Sequence, residues 1–128
     1  MRNDRGAAMT PFAAILQRAV TATPNAIGGA FADPDGEMVD SFALIDPHDW
    51  AVLTAHYGVV LRHLTQAFGT WHYGGPEYFI AQHKGLEVIV QAVEAGYYAL
   101  LAFTKSAPIA LALENLRVAA TFLRKEMA

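Results

Sequence analysis

The side chains able to do chemistry are few and scattered. The five histidines are His48, His56, His63, His72 and His83. His56 and His63 stand seven residues apart, two turns on one helical face and about 10 Å along the axis. One metal ion needs its helical histidines at i, i+4, so this spacing does not bind one unaided. The pair is read as partly buried structural histidines. Asp33, Asp35 and Glu37 alternate across a short segment. They lack the twelve-residue frame and closing glutamate of a calcium loop and are read as a turn. Gly28-Gly29 and Gly74-Gly75 lack the further glycines or the lysine of a phosphate-binding loop. No GxSxG or HExxH stretch occurs, and there is no cysteine to act as nucleophile or thiolate ligand. His72 or His83 with a nearby acid would be the remaining route to a hydrolase, but no pairing is visible. The expectation is no catalytic residue, no metal and no cofactor.

Composition narrows the class further. The 128 residues suit one domain. Hydrophobic residues make up 54% and charged ones only 16%, which excludes a disordered tail. Net charge is −3, and the nine Lys and Arg are dispersed, so no basic stripe exists to neutralise a nucleic-acid backbone. No apolar run approaches the ~20 residues of a membrane span. Gln17 and Arg18 interrupt the first apolar stretch at helical spacing, a poor fit to a signal peptide. A cytoplasmic protein is expected, with residues 1–9 as a tail, Met9 as an alternative start, and residues 10–127 as the single domain.

The elements that must carry these side chains are legible from periodicity. Thr10-Pro11 is a helix start, and Phe12, Ile15, Leu16, Ala19 and Val20 form one stripe behind it. Residues 26–32 and 37–44 read as two strands joined by the turn Asp33-Pro34-Asp35-Gly36, with Met38, Phe42 and Leu44 on one side. Asp46-Pro47 opens a long middle helix ending near Phe68. Its first stripe is Trp50, Leu53, Tyr57, Leu61, Leu64 and Phe68. A second runs through Val52, His56, Val59, Val60, His63 and Ala67, leaving Thr54, Gly58, Arg62 and Thr65 as the polar remainder. After Gly74-Gly75-Pro76 come strands at 77–83, 86–94 and 97–104, joined by two-residue turns at Lys84-Gly85 and Ala95-Gly96. The last strand is apolar on both faces and should be central; the first of the three suits an edge. Ser106 to Pro108 starts the closing helix, with Ile109, Leu113, Leu116, Ala120, Leu123 and Met127 facing the core. The five tyrosines are read as packing residues. Trp71, Tyr73, Tyr78 and Phe79 form the one aromatic set that would line a ligand pocket, and packing at the sheet edge is the favoured reading.

The order αββαβββα over residues 10–127 resembles the Roadblock (dynein light chain) domain, a profilin-like α+β fold. The stretches that carry the resemblance are the hairpin Ala26-Ile27-Gly28-Gly29-Ala30-Phe31-Ala32-Asp33-Pro34-Asp35-Gly36-Glu37, the strands Leu86-Glu87-Val88-Ile89-Val90 and Tyr97-Tyr98-Ala99-Leu100-Leu101, and the closing amphipathic helix. The resemblance implies a five-stranded antiparallel sheet with the middle helix on one face and the first and last on the other. It implies a homodimer in which the edge strand before Lys84-Gly85 pairs with its copy and the middle helices lie together. The interface residues would be Val52, His56, Val59, Val60 and His63 on the helix, with Tyr78, Ile80 and Gln82 on the strand. It also implies a non-enzymatic adaptor, of bacterial stand-alone type, for a small Ras-like GTPase or a paralogous Roadblock protein in polarity, motility or signalling. Thr54, Gly58, Arg62 and Gln66 would face outward there as the docking surface. The alternative is a small-molecule sensor on a PAS-, GAF- or profilin-like scaffold.

Overall fold

The computed structural model describes residues 9–104 and 108–128. The tail at 1–8 and the capping role read for Ser106 lie outside the described residues. The elements run α1 (Pro11–Ala22), β1 (Ala26–Ala32), β2 (Met38–Ala43), α2 (Pro47–Ala67), β3 (Tyr78–Gln82), β4 (Leu86–Glu94), β5 (Tyr97–Thr104) and α3 (Ile109–Met127). The five strands make one antiparallel sheet in the order β2-β1-β5-β4-β3.

Local chemistry sets the ends of these elements. The Thr10 side chain accepts from the Ala13 amide at 3.0 Å and Pro11 follows at the first helical position. Asp46 caps α2 in the same way through the Asp49 amide at 3.0 Å, with Pro47 behind it. In the β1–β2 turn, Oδ1 of Asp33 accepts from the amides of Asp35 and Glu37 at 2.9 and 3.0 Å, and Gly36 takes φ 86°. Asp33 is thus spent on holding a turn, as its spacing suggested.

β5 lies at the centre, and its alternate residues feed two cores. Leu101 and Phe103 join Leu16, Val20, Phe31, Ile89, Leu116 and Leu123 under α1 and α3. Tyr98, Leu100 and Ala102 join Trp50, Tyr57, Val88 and Val90 under α2. Five strands at about 4.8 Å spacing are wider than the ~10 Å of one helix. Two helices therefore cover one face, whereas α2 alone roofs only part of the other. It lies toward β2 and β1, where small residues let it settle: a Cβ on Gly28 would stand 2.9 Å from the Trp50 ring and 3.1 Å from the Ala43 Cβ.

One reading of the β1–β2 hairpin is corrected. Phe31 pairs with Asp40 but Ala32 pairs with Met38, so Val39 is bulged out. The bulge reverses the alternation within β2. Met38 consequently packs in the α2 core, Phe42 in the opposite core, and Leu44 is exposed, rather than all three sharing a side.

Candidate interaction surface

The incomplete roof leaves a groove between α2 and the β3–β4 hairpin, with a volume of about 620 Å³. Leu53, His56, Tyr57 and Val60 form the helix wall; Phe79, Ala81, His83 and Leu86 form the sheet wall. The lining is almost wholly apolar. Its polar groups are the His56 imidazole and a hydrogen bond between the Tyr57 hydroxyl and Nε2 of His83. Burial raises the Tyr57 hydroxyl above its usual range, so it keeps its proton. The same ring packs against Phe79 at 6.2 Å and edge-on to His83 at 6.0 Å.

Directly beside the groove, the outer side of α2 is greasy and uncovered. Val52, Val59 and Val60 are 41%, 43% and 41% exposed. His56 and His63 stand between them, also exposed, so these two are not the partly buried structural histidines expected. On the groove's far side, β3 ends the sheet, and among the described residues its outer N–H and C=O groups have no strand partner. The other edge, β2, is blunted. It carries the Val39 bulge, and its Asp40 is hydrogen-bonded to Thr10 at the start of α1.

The residues expected at the surface divide into three groups. The helix set Val52, His56, Val59, Val60 and His63 lies together on one exposed flank. Tyr78, Ile80 and Gln82 belong to the edge strand, but their side chains lie on the α1/α3 side of the sheet. Tyr78 sits under the Arg117 guanidinium at 5.4 Å, Ile80 packs on the α1/α3 core, and Gln82 reaches Glu87 at 3.3 Å. Phe79 and Ala81, between them, are the β3 side chains that face α2. The two-residue turn at Lys84-Gly85 pairs Gln82 with Glu87 and Ile80 with Ile89, which groups the side chains by parity. Parity does not say which group meets α2.

Two of the outward docking positions are corrected. Thr54 is buried: its Oγ1 donates to the Trp50 carbonyl at 2.9 Å, and its own carbonyl accepts from the Tyr98 hydroxyl at 3.1 Å. Gly58 is buried beneath that same Tyr98 hydroxyl and against Gly36. A wheel counts both as non-apolar, but their small size is what lets α2 approach β5. Arg62 and Gln66 are exposed; Nη2 of Arg62 points at the Asp35 carbonyl, 3.5 Å away.

The aromatic set does not converge on one pocket. Tyr78 and Phe79 point to opposite faces of the sheet. Trp71 and Tyr73 instead join Phe68 in a surface cluster with ring separations of 5.6 and 5.1 Å. They are 56% and 82% exposed, so Tyr73 is not a packing residue. Among the described residues no helix is long and apolar enough to cross a membrane.

No protein-family model matches the sequence, and no curated protein matches it either. Solved structures do match the fold. MglB from Myxococcus xanthus superposes with a TM-score of 0.83 at 13% identity, covering 94% of this chain and 97% of its own. A Roadblock/LC7 domain from Streptomyces avermitilis gives 0.80 at 12% identity, over 88% and 94%. This is the Roadblock fold. The gliding protein MglB from Thermus thermophilus shares it at a TM-score of 0.73 and 18% identity, over 97% and 95%. Within the Roadblock fold of this chain, the middle helix, the open edge strand and the groove between them form one continuous surface.

Proposed function

We propose that this protein is a non-enzymatic homodimeric adaptor that presents its paired middle helices to a small Ras-like GTPase or to a paralogous Roadblock protein. The observation that supports it is the exposed stripe of Val52, Val59 and Val60 running alongside the groove and the open β3 edge. Covering the remaining exposed part of each valine gains about 1 kcal/mol. Three on each of two copies give about 6 kcal/mol, against association costs of roughly 4–15 kcal/mol. Filling the groove over Phe79 and Ala81 and pairing the two β3 edges supply the remainder. Arg62 and Gln66 flank the stripe and remain available to a third protein. The likeness to a gliding protein favours a motility or polarity setting.

Sedimentation at micromolar concentration tests the dimer, and a monomer there overturns the reading. Titration with a Ras-like GTPase in its GDP and GTP states tests the partner. Binding in neither state leaves only the paralogue version standing.

A small-molecule sensor is the second reading, favoured by one observation: the groove's volume falls in the range of ligand pockets. A ligand retained through purification would place it first.

A further inference from the structure

The closing helix carries two apolar stripes, and the fold uses only one of them. Ala112, Leu116, Ala119, Ala120 and Leu123 are buried in the α1/α3 core. Leu111, Val118 and Phe122 lie on the outer side, 42%, 45% and 41% exposed. From Leu111 to Phe122 this outer stripe runs about 16 Å, three helical turns. Beside it, α1 and α3 leave a recess of about 200 Å³. Small side chains, Ala19, Ala22 and Ala119, line it together with Val118 and Phe122. Asn115 also lines it, but its Nδ2 is committed to Thr23 Oγ1 at 2.9 Å.

Charge is divided unevenly between the layers. α1 and α3 hold four of the nine Lys and Arg but only two of the twelve Asp and Glu. Two of these cations are engaged elsewhere: Nε of Arg124 donates to the Val93 carbonyl at 2.7 Å, and Arg117 lies over the Tyr78 ring. The other two border the recess from opposite helices. Arg18 Cζ and Lys125 Nζ lie 5.9 and 5.5 Å from the centre of the Phe122 ring. Among the described residues neither forms an ion pair with a carboxylate. A cation resting on an exposed ring keeps N–H donors free for an acceptor. Glu114 stands between Leu111 and Val118, about two turns from Phe122, so the Phe122 end is the one that attracts an anion.

We propose that the α1–α3 groove docks a helix of a partner protein, one with large apolar side chains at i, i+4 and i+7 and with Asp or Glu beside them to meet Arg18 and Lys125. The anchor spacing matches the three-turn stripe on α3. A helix satisfies its own backbone, and this site demands that. The N–H and C=O groups along α1 and α3 are spent within those helices, so an extended chain laid there would find nothing to bond. No Tyr or Trp lines the recess to donate to the carbonyls of a proline-rich strand. A hollow among alanines receives a projecting side chain, which the flat face of a bilayer does not supply. The groove lies across the sheet from α2, so it stands apart from the homodimer reading. Occupied, it lets one subunit hold a second protein while the α2 surface is engaged.

A selection tests this. A phage-displayed library of helical peptides is panned on the full-length protein, and the binders are titrated by fluorescence anisotropy. They should converge on Leu, Ile, Met or Phe at i, i+4 and i+7, with carboxylates alongside. Arg18→Glu/Lys125→Glu should raise their dissociation constants about tenfold or more. Phe122→Ser and, separately, Val118→Ser should do the same by about tenfold. All four side chains are exposed, so thermal unfolding of each variant should be little changed. Binders that ignore these substitutions overturn the site, as does a library from which nothing is enriched. Binders that are basic or proline-rich overturn the assigned chemistry. Vesicles containing about 30% phosphatidylserine should leave the protein in solution. Vesicle binding that the charge reversal abolishes would assign the face to an anionic bilayer and overturn the helix partner.

Discussion

Gly58 of α2 stands directly beneath the Tyr98 hydroxyl of β5: a Cβ there would lie 2.5 Å from that oxygen and 3.1 Å from the Gly36 Cα. In an exposed helix, alanine is better than glycine by about 1 kcal/mol. Here the order should invert. Gly58→Ala is expected to cost about 1–3 kcal/mol, because the helix must lift off the sheet and the bond from Tyr98 to the Thr54 carbonyl is stretched. Urea unfolding of the variant measures it, and a gain in stability would mean the helix is not seated as described.

The Tyr98 hydroxyl is pushed up to about 12, first by its burial and then by the nearby Asp33 carboxylate, with Arg62 acting the other way. The unfolded chain releases this proton near pH 10, while the folded chain holds it to about pH 12. Between those values the unfolded state binds fewer protons, so stability falls as pH rises, by up to about 1.4 kcal/mol per pH unit. Tyr98→Phe should flatten that decline in unfolding curves measured across the window. Tyr57, also raised by burial, leaves a residual slope.

Val59→Asp combined with Val60→Asp places charge at the centre of the exposed stripe. Both side chains point to solvent in the single subunit, so the fold should survive, with thermal unfolding little changed. Association should be lost by about tenfold or more in dissociation constant. A variant that sediments as a dimer at unchanged affinity would locate the seam elsewhere.

Ala95 occupies φ 53° and Gly96 φ 87°, the left-handed pair of a type I′ hairpin turn. Alanine is strained there, and asparagine tolerates the region better. Ala95→Asn should stabilise by about 0.5–1 kcal/mol, read as a raised urea midpoint with unchanged slope.

Much of the scaffold was open to reading from residues alone, for definite reasons. β4 and β5 fall at Leu86–Glu94 and Tyr97–Thr104 because two glycine-bearing turns pin their ends. The central place of β5 follows from its two apolar faces. Four features were hidden. The Val39 bulge has no residue signature and reverses one end of β2. The side of β3 that meets α2 depends on tertiary packing, which is why Phe79 and Ala81 rather than Tyr78, Ile80 and Gln82 enter the groove. Thr54 and Gly58 look polar on a helical wheel, but close approach selects smallness over greasiness. His56 and His63 were legible as a pair on one face; their exposure was not.

The strand order carries a kinetic consequence. β1 and β2 pair with each other locally, as do β3, β4 and β5, but the joint between these halves couples Ala32 to Tyr98 and Ala26 to Phe103. Closing that joint waits on the penultimate element of the chain. A nascent polypeptide must therefore shield the apolar rim of β1 until synthesis has passed Thr104, and the slow step of refolding should be the meeting of the two halves rather than the formation of either.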